Sequence, residues 1–272
     1  MFPRREVCDP ARALAPGLAS PQTFYLVGDR IKLQLPHPRL MSITDLELMI
    51  DALERGQAPA GALRLLIGQG AASERLVQAR RRIDSAGCAS WLQMPPEGEL
   101  EQASAVYTHK RHPHNIIISD PQQSTQSSYT ALLLADERCA DMSDHLSGQH
   151  VQGMVLIEAS RQMVLAVGEK FLISPEHRGQ RGFVTHRLDA QFHDFVLPLE
   201  VKMTCQIDNL RRGACSNFRA DVTIGFQQAG TVSAEVKVTL SVLDKRFLED
   251  HESRLIRRQL AQREPPQEAK PS

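Results

Sequence analysis

The sequence predicts an α+β protein in which an antiparallel sheet wraps one buried helix, preceded by a small α/β unit. Three observations predict it. From Gly153 to Val167 the chain reads as a helix that is apolar on nearly every side, the mark of a helix buried in a core. Residues 201–242 alternate apolar and polar with period two across two turns, the pattern of an antiparallel meander with one covered face. Residues 23–95 run strand, helix, strand, helix, strand, the order of a parallel crossover unit.

Composition narrows the class. The chain has 272 residues, enough for one large domain or two small ones, and is 42% hydrophobic and 24% charged, as globular proteins are. Its 32 basic and 32 acidic residues cancel, so charge gives no case for nucleic acid or for an anionic membrane surface. The core helix is a poor membrane span, because Glu158, Arg161 and Gln162 interrupt it. The cysteines (Cys8, Cys88, Cys139, Cys205 and Cys215) show no CxxC or zinc spacing, so reduced structural thiols and no metal are expected. No cofactor is expected either. Arg4 and Arg5 are not followed by a signal-peptide apolar core, and the cytoplasm is the expected location.

Residues 1–22, rich in Pro, Ala and Arg, read as a loose lead-in with a short helix near Pro10–Leu14. In the α/β unit, residues 24–27 form a strand closed by Gly28-Asp29. Ser42 or Thr44 caps a helix that runs to Glu54 and stops at Gly56. A second strand, residues 63–67, enters Gly68-Gln69-Gly70, and Ser73 then caps a helix to Ser85 that stops at Gly87. Residues 88–94 are the third strand, and Pro95-Pro96-Glu97-Gly98 marks a boundary. A strand, a glycine turn and a helix start invite a phosphate-binding reading. The last glycine of the dinucleotide fingerprint is missing, however, and no acidic residue closes the third strand, so the turn reads as structural.

The second unit, residues 105–245, opens with strands at 115–118 and 129–135. After the helix, residues 183–196 are extended but polar. Val201, Met203, Cys205 and Ile207 then point inward, Arg212-Gly213 turns the chain, and Phe218, Ala220, Val222, Ile224 and Phe226 follow. Ala229-Gly230 turns it again before Val232, Ala234, Val236, Val238, Leu240 and Val242. Residues 246–262 read as an Arg-rich solvated helix, and the tail from Pro265-Pro266 as disordered.

An apolar helix wrapped by such a sheet is the hotdog arrangement. His109-Lys110-Arg111-His112-Pro113-His114-Asn115-Ile116-Ile117-Ile118-Ser119, then Asp144-His145, then His150-Val151-Gln152 and the Gly-Met-x-Leu-x-Glu-Ala-x-Arg-Gln core from Gly153 to Gln162, resemble the A-factor biosynthesis (AfsA-type) hotdog family over about residues 105–245. The resemblance implies acyl chemistry. Its type members transfer a β-ketoacyl group from acyl carrier protein to the hydroxyl of dihydroxyacetone phosphate, on the way to γ-butyrolactone signals of quorum sensing and secondary metabolism. It implies as partners an acyl-carrier-protein or CoA thioester and a small hydroxylated acceptor, which is phosphorylated in the type members. The family's functional Glu and Arg match Glu158 and Arg161. Type members carry two hotdog copies, whereas this chain shows one, which predicts a homodimer with sites at or near the interface. They also lack the N-terminal α/β unit. His145, Gly153 and Glu158 are similar, with spacing one residue short, to β-hydroxyacyl-carrier-protein dehydratases.

Roles follow from side-chain chemistry. A partly buried Glu158 is expected to have a raised pKa and to act as general base. Arg161 holds a phosphate or carboxylate, or clamps Glu158. The backbone N–H groups of Gly153 and Met154 face a thioester oxyanion. His145 or His150 shuttles a proton, Gln162 supplies a supporting hydrogen bond, and His109 and Lys110 contact phosphopantetheine or phosphate. Against each stands a plainer role: Glu158 and Arg161 as an ion pair holding a dimer, the histidines as structural residues, Asp144 as a turn cap. A hotdog dehydratase or thioesterase, and a non-catalytic acyl-ligand binder or assembly subunit, remain the alternatives.

Overall fold

The computed structural model describes residues 20–57, 61–140 and 149–262. The expected helix near Pro10–Leu14, Asp144, His145 and the tail from Pro265 lie outside these residues.

The N-terminal half contains β1 (Gln22–Val27), α1 (Asp29–Gln34), β2 (Leu40–Ser42), α2 (Ile43–Glu54), β3 (Leu63–Ile67), α3 (Ser73–Ser85) and β4 (Leu92–Gln93). The strands pair in parallel in the order β2-β1-β3-β4. The sequence reading misses β2 because three residues carry no period. Ser42 does cap α2: its hydroxyl accepts from the Asp45 N–H while Asp45 accepts from the Ser42 N–H, each at 3.0 Å, a reciprocal capping box. Ser73 does not cap α3. Ala72 holds the cap position, and the Ser73 hydroxyl donates instead to the Leu100 carbonyl. The Pro95-Pro96 stretch is not where the first core ends, because α4 (Glu97–Leu100) follows and Leu100 is buried with the α/β side chains.

The second half continues with α5 (Ala105–Thr108), β5 (Gln122–Gln123), β6 (Ser128–Leu132) and α6 (Gly153–Val167), which runs into a π-helical turn, Gly168–Leu172. Then come β7 (Arg181–Phe192), β8 (Lys202–Arg212), β9 (Phe218–Gln228), β10 (Thr231–Asp244) and the exposed α7 (Lys245–Ala261). The strands form a six-stranded antiparallel sheet, β5-β6-β8-β9-β10-β7, curled around α6. Val155, Leu156, Ala159, Met163 and Val167 of the helix pack on Met203, Ile224, Phe226, Val236 and Leu240 of the sheet in one core. The architecture is the hotdog fold.

Three strand expectations change. Of the expected strand 88–94, residues 88–91 form a turn and only Leu92–Gln93 pair, as β4. Val232 does not point inward: a register shift between Val232 and Ala234 leaves it exposed and buries Ser233, whose carbonyl accepts from the N–H groups of His193 and Asp194. Residues 115–118 do not form a continuous strand. A 3-10 turn, Pro113–Asn115, leads to a single bridge between Ile118 and Leu133, because the Gln162 side chain takes the place of a neighbouring strand.

The run from Ala131 to Ala135 is apolar throughout because both its faces are covered, whereas Thr130 before it is exposed. Tyr129, Ala131, Leu133 and Ala135 enter the core around α6, while Leu132 and Leu134 enter the α/β core. The Gly68-Gln69-Gly70 turn locks the two layers together. Gln69 is fully buried; its amide donates to the carbonyls of Leu133 (3.0 Å) and Leu199 (3.2 Å) and accepts from the Ala135 N–H (2.9 Å). Gly70 donates to the Ala135 carbonyl at 2.7 Å and sits at φ +95°. A Cβ on Gly68 would meet the Pro198 carbonyl at 2.7 Å. The glycines permit backbone-to-backbone contact within the protein, as the structural reading of this turn expects.

Replacing Gln69 by Leu should therefore orphan two carbonyls and one N–H in the interior and cost about 2–5 kcal/mol, measured by urea unfolding. Replacing Arg82 by Ala, which breaks surface pairs with Asp51 and Glu54, should cost under about 1 kcal/mol. Equal costs would contradict the locking role of Gln69.

Candidate active site

Helix α6 is sheathed on three sides and open on the fourth. Met154, Glu158 and Arg161, spaced i, i+4 and i+7, share the open stripe. Met154 is 69% exposed and the Arg161 side chain 41%, whereas Gln162, one residue on, is fully buried. The all-round apolar reading of the helix is thus corrected along this line.

Glu158 is the centre of a polar cluster. Its Oε1 accepts from Arg161 Nη2 (2.8 Å) and Gln162 Nε2 (2.9 Å) and lies 2.7 Å from Lys110 Nζ. Its Oε2 accepts from Arg161 Nε at 2.8 Å, so the guanidinium grips the carboxylate with two parallel bonds. Burial pushes the Glu158 carboxyl up, but the hydrogen bonds from Arg161, Lys110 and Gln162 together outweigh it and hold the pKa down at about 2. This overturns the expected general base. A carboxylate stabilised this far in its charged form takes up a proton poorly near neutral pH.

Gln162 ties the cluster to the loop after α5. Its Nε2 also donates to the Asn115 carbonyl at 2.9 Å, and its Oε1 accepts from the Ile117 N–H at 3.0 Å. His109, which ends α5 in the left-handed region at φ +54°, reaches a different acid. Its Nε2 lies 3.2 Å from Oε1 of Glu169, a fully buried carboxylate whose Oε2 accepts from the Gly179 N–H at 2.9 Å. The His109 ring meets Phe183 edge-on, with centroids 5.7 Å apart. His109, Arg161 and Thr185 wall a cleft of about 150 Å³ whose other lining side chains are apolar, among them Val164, Phe183, Leu188 and Leu240.

The structure thus brings Glu158, Arg161, Gln162, Lys110 and His109 together. His150, Gly153 and Met154 form a second group at the helix start. There the His150 ring packs on Phe195 at 4.9 Å, and a Cβ on Gly153 would meet the Phe192 ring at 2.9 Å. The first N–H groups of α6 have no intrahelical acceptor. His145 lies outside the described residues. Among the described residues, no group of three His, Cys, Asp or Glu is placed to hold a metal ion, and no helix is long and apolar enough to cross a membrane.

The sequence reading missed Glu169. Only its spacing hints at it: it lies eleven residues after Glu158, about three helical turns, but past the end of α6, where it is buried and off the open stripe. The π-helical turn that carries it has no signature in the residues.

Three solved structures resemble part of the chain. A thioesterase from Haemophilus influenzae shares 16% identity over 47% of this chain and 79% of its own, with a TM-score of 0.36. A mutant thioesterase from Pseudomonas aeruginosa shares 15% over 47% and 81%, with a TM-score of 0.35. A Staphylococcus aureus protein in complex with CoA shares 9% over 46% and 77%, with a TM-score of 0.35. No curated protein matches the chain. Residues 92–244 match the AfsA family, described as the A-factor biosynthesis hotdog domain; that stretch is more than half of the chain and holds both the wrapped helix and most of its sheet, so the protein belongs to this family.

Proposed function

We propose that the protein is an acyltransferase, moving a β-ketoacyl or related acyl group from a carrier-protein or CoA thioester to a small hydroxylated acceptor, most simply a phosphorylated one. One observation carries the reading. The only charged side chains on the open stripe of an otherwise buried helix stand beside an apolar cleft, so an apolar chain and an anion find complementary walls within one site. Arg161 is the anion anchor: its guanidinium is fixed by Glu158 yet partly open to solvent. Glu158 is the clamp that aims it. The helix-start N–H groups of Gly153 and Met154, expected to face the oxyanion, lie about two to three turns along α6 from cleft-lining Arg161 and Val164, too far to serve a carbonyl held there.

The active form in this reading is a homodimer. Among the described residues strand β7 is a sheet edge paired only with β10, and such an edge is open to pairing with another strand. Leu188 and Phe192 of that edge, with neighbouring Phe195, Leu197 and Met154, are exposed apolar side chains. A second copy would cover them and close the cleft.

Incubation with a β-ketoacyl carrier protein and dihydroxyacetone phosphate should yield an ester; free acid or an enoyl product would replace this reading with hydrolysis or dehydration. Replacing Arg161 by Ala should raise KM for the phosphorylated acceptor at least about tenfold, as a lost charge-assisted bond of 1.5–3 kcal/mol implies. An unchanged KM would remove Arg161 from acceptor binding. The depressed Glu158 carboxyl gives a stability term that is present above its unfolded value, near 4.5, and fades as pH falls toward about 2. Glu158→Gln should flatten unfolding stability over that acid window relative to wild type, and an identical pH profile would contradict the clamp. Phe192→Asp should shift the sedimentation coefficient from dimer to monomer.

A further inference from the structure

With Glu158 held charged by three donors, ester formation still needs a group that takes the proton from the attacking hydroxyl. The cleft wall offers one. His109 lines the cleft beside Arg161, and its Nε2 is engaged by a carboxylate removed from solvent. The other oxygen of that carboxylate is already held by the Gly179 N–H, so Oε1 is left to accept from the imidazole. With the Glu169 oxygen as the acceptor of this contact, the ring proton sits on Nε2 and Nδ1 is left as the free basic nitrogen. Among the described residues Nδ1 has no hydrogen-bond partner. The device is built rather than incidental. A left-handed backbone at a non-glycine residue is uncommon, and here it swings the ring toward α6. At the far end, the π-helical turn delivers Glu169, and a Cβ on Gly168 would meet the Phe183 ring at 2.7 Å, the ring that packs against the His109 edge.

We propose that His109 is the catalytic proton acceptor of this site and that buried Glu169 is its positioning residue; this rests on the acyl-transfer reading above. As the acceptor oxygen bonds to the thioester carbonyl carbon, its proton passes to Nδ1 of His109. The carbon–sulfur bond then breaks, and the imidazolium returns the proton to the departing thiolate. Ester and free thiol are the products, and the histidine ends as it began. The charged and titratable groups around the ring are Glu169, Arg161 across the cleft, Lys110 beside it in sequence, Tyr107 of α5, and Arg178, which donates to the Tyr107 hydroxyl.

The test uses the full chain, the N-acetylcysteamine thioester of a β-ketoacid as donor and dihydroxyacetone phosphate as acceptor. His109→Gly keeps the fold, because glycine occupies the left-handed position without strain. It should lower kcat by about 10²–10⁴-fold with little change in KM, and added imidazole should restore part of the rate. Glu169→Gln places its NH₂ toward Nε2, since its carbonyl still accepts from Gly179, and should invert the ring tautomer. Long-range ¹⁵N NMR of His109 should read Nε2–H in the wild type and Nδ1–H in that variant, with kcat reduced and the acid limb of its pH profile displaced. A wild type that forms ester while His109→Gly matches its kcat and pH profile overturns the dyad and leaves the transfer reading standing. A wild type that forms no ester overturns the transfer reading. An Nδ1–H tautomer in the wild type overturns the dyad whatever the reaction.

Discussion

A helix with this many apolar side chains has to leave water, and it takes Glu158 and Gln162 with it; how the fold satisfies those two residues shapes the site. Burying one Leu or Val contributes about 1.5–3 kcal/mol, while one orphaned interior amide or carboxylate costs about as much or more. An unsatisfied Gln162 would therefore cancel a neighbouring core side chain. The loop after α5 meets the demand. Asn115 and Ile117 offer their backbone to the Gln162 amide, and Lys110 meets Glu158. The loop consequently runs as an extended segment bound to a side chain rather than as a strand, and its polar residues are carried to the edge of the helix, where the cleft opens.

The same accounting explains the α/β layer. Open parallel sheets take ligands at the carboxyl ends of their strands. In this protein that crevice is filled by the chain itself: Gly28 and Gly70 approach each other, and residues 135–137 with Pro198 pack against the turn. From Ala131 to Ala135 the end of β6 and the residues after it send alternate side chains into each core, so neither layer has a free face there. The layer acts as a brace on β6, the strand next to the meander.

Much of this was legible in the residues. Period-two alternation located β8, β9 and β10 because each has one wet and one dry face. The Gly-Met-x-Leu-x-Glu-Ala-x-Arg-Gln run located α6 and its Glu–Arg pair because a family motif fixes spacing, and the Ser42–Asp45 box is a local signal of helix start. What escaped depended on distant partners. Val232 turned outward through a register shift that its own residues do not encode. Ser73 has a cap's side chain, but the helix begins at it, with Ala72 in the cap position, and its hydroxyl donates to Leu100 instead. Glu158 was read as a base because burial alone raises a carboxyl; the three donors that reverse the sign come from 48 residues upstream and from adjacent turns. Glu169 escaped because a π-helical turn leaves no trace in composition.

These acids differ in kind, and the difference defines the site. Glu158 is partly open, gripped by two cations and one amide, and works by holding Arg161. Glu169 is sealed, meets one N–H and one imidazole, and works by orienting His109. The loop from His109 to Ile117 is held by both, and by Gln162 between them. Moving it would break the Lys110–Glu158, His109–Glu169 and Gln162 contacts together. A site fixed at three points cannot close around its ligand by shifting that loop. In the proposed reaction selectivity then comes from fit to a rigid wall, the condition under which oriented charges stabilise a transition state without reorganisation.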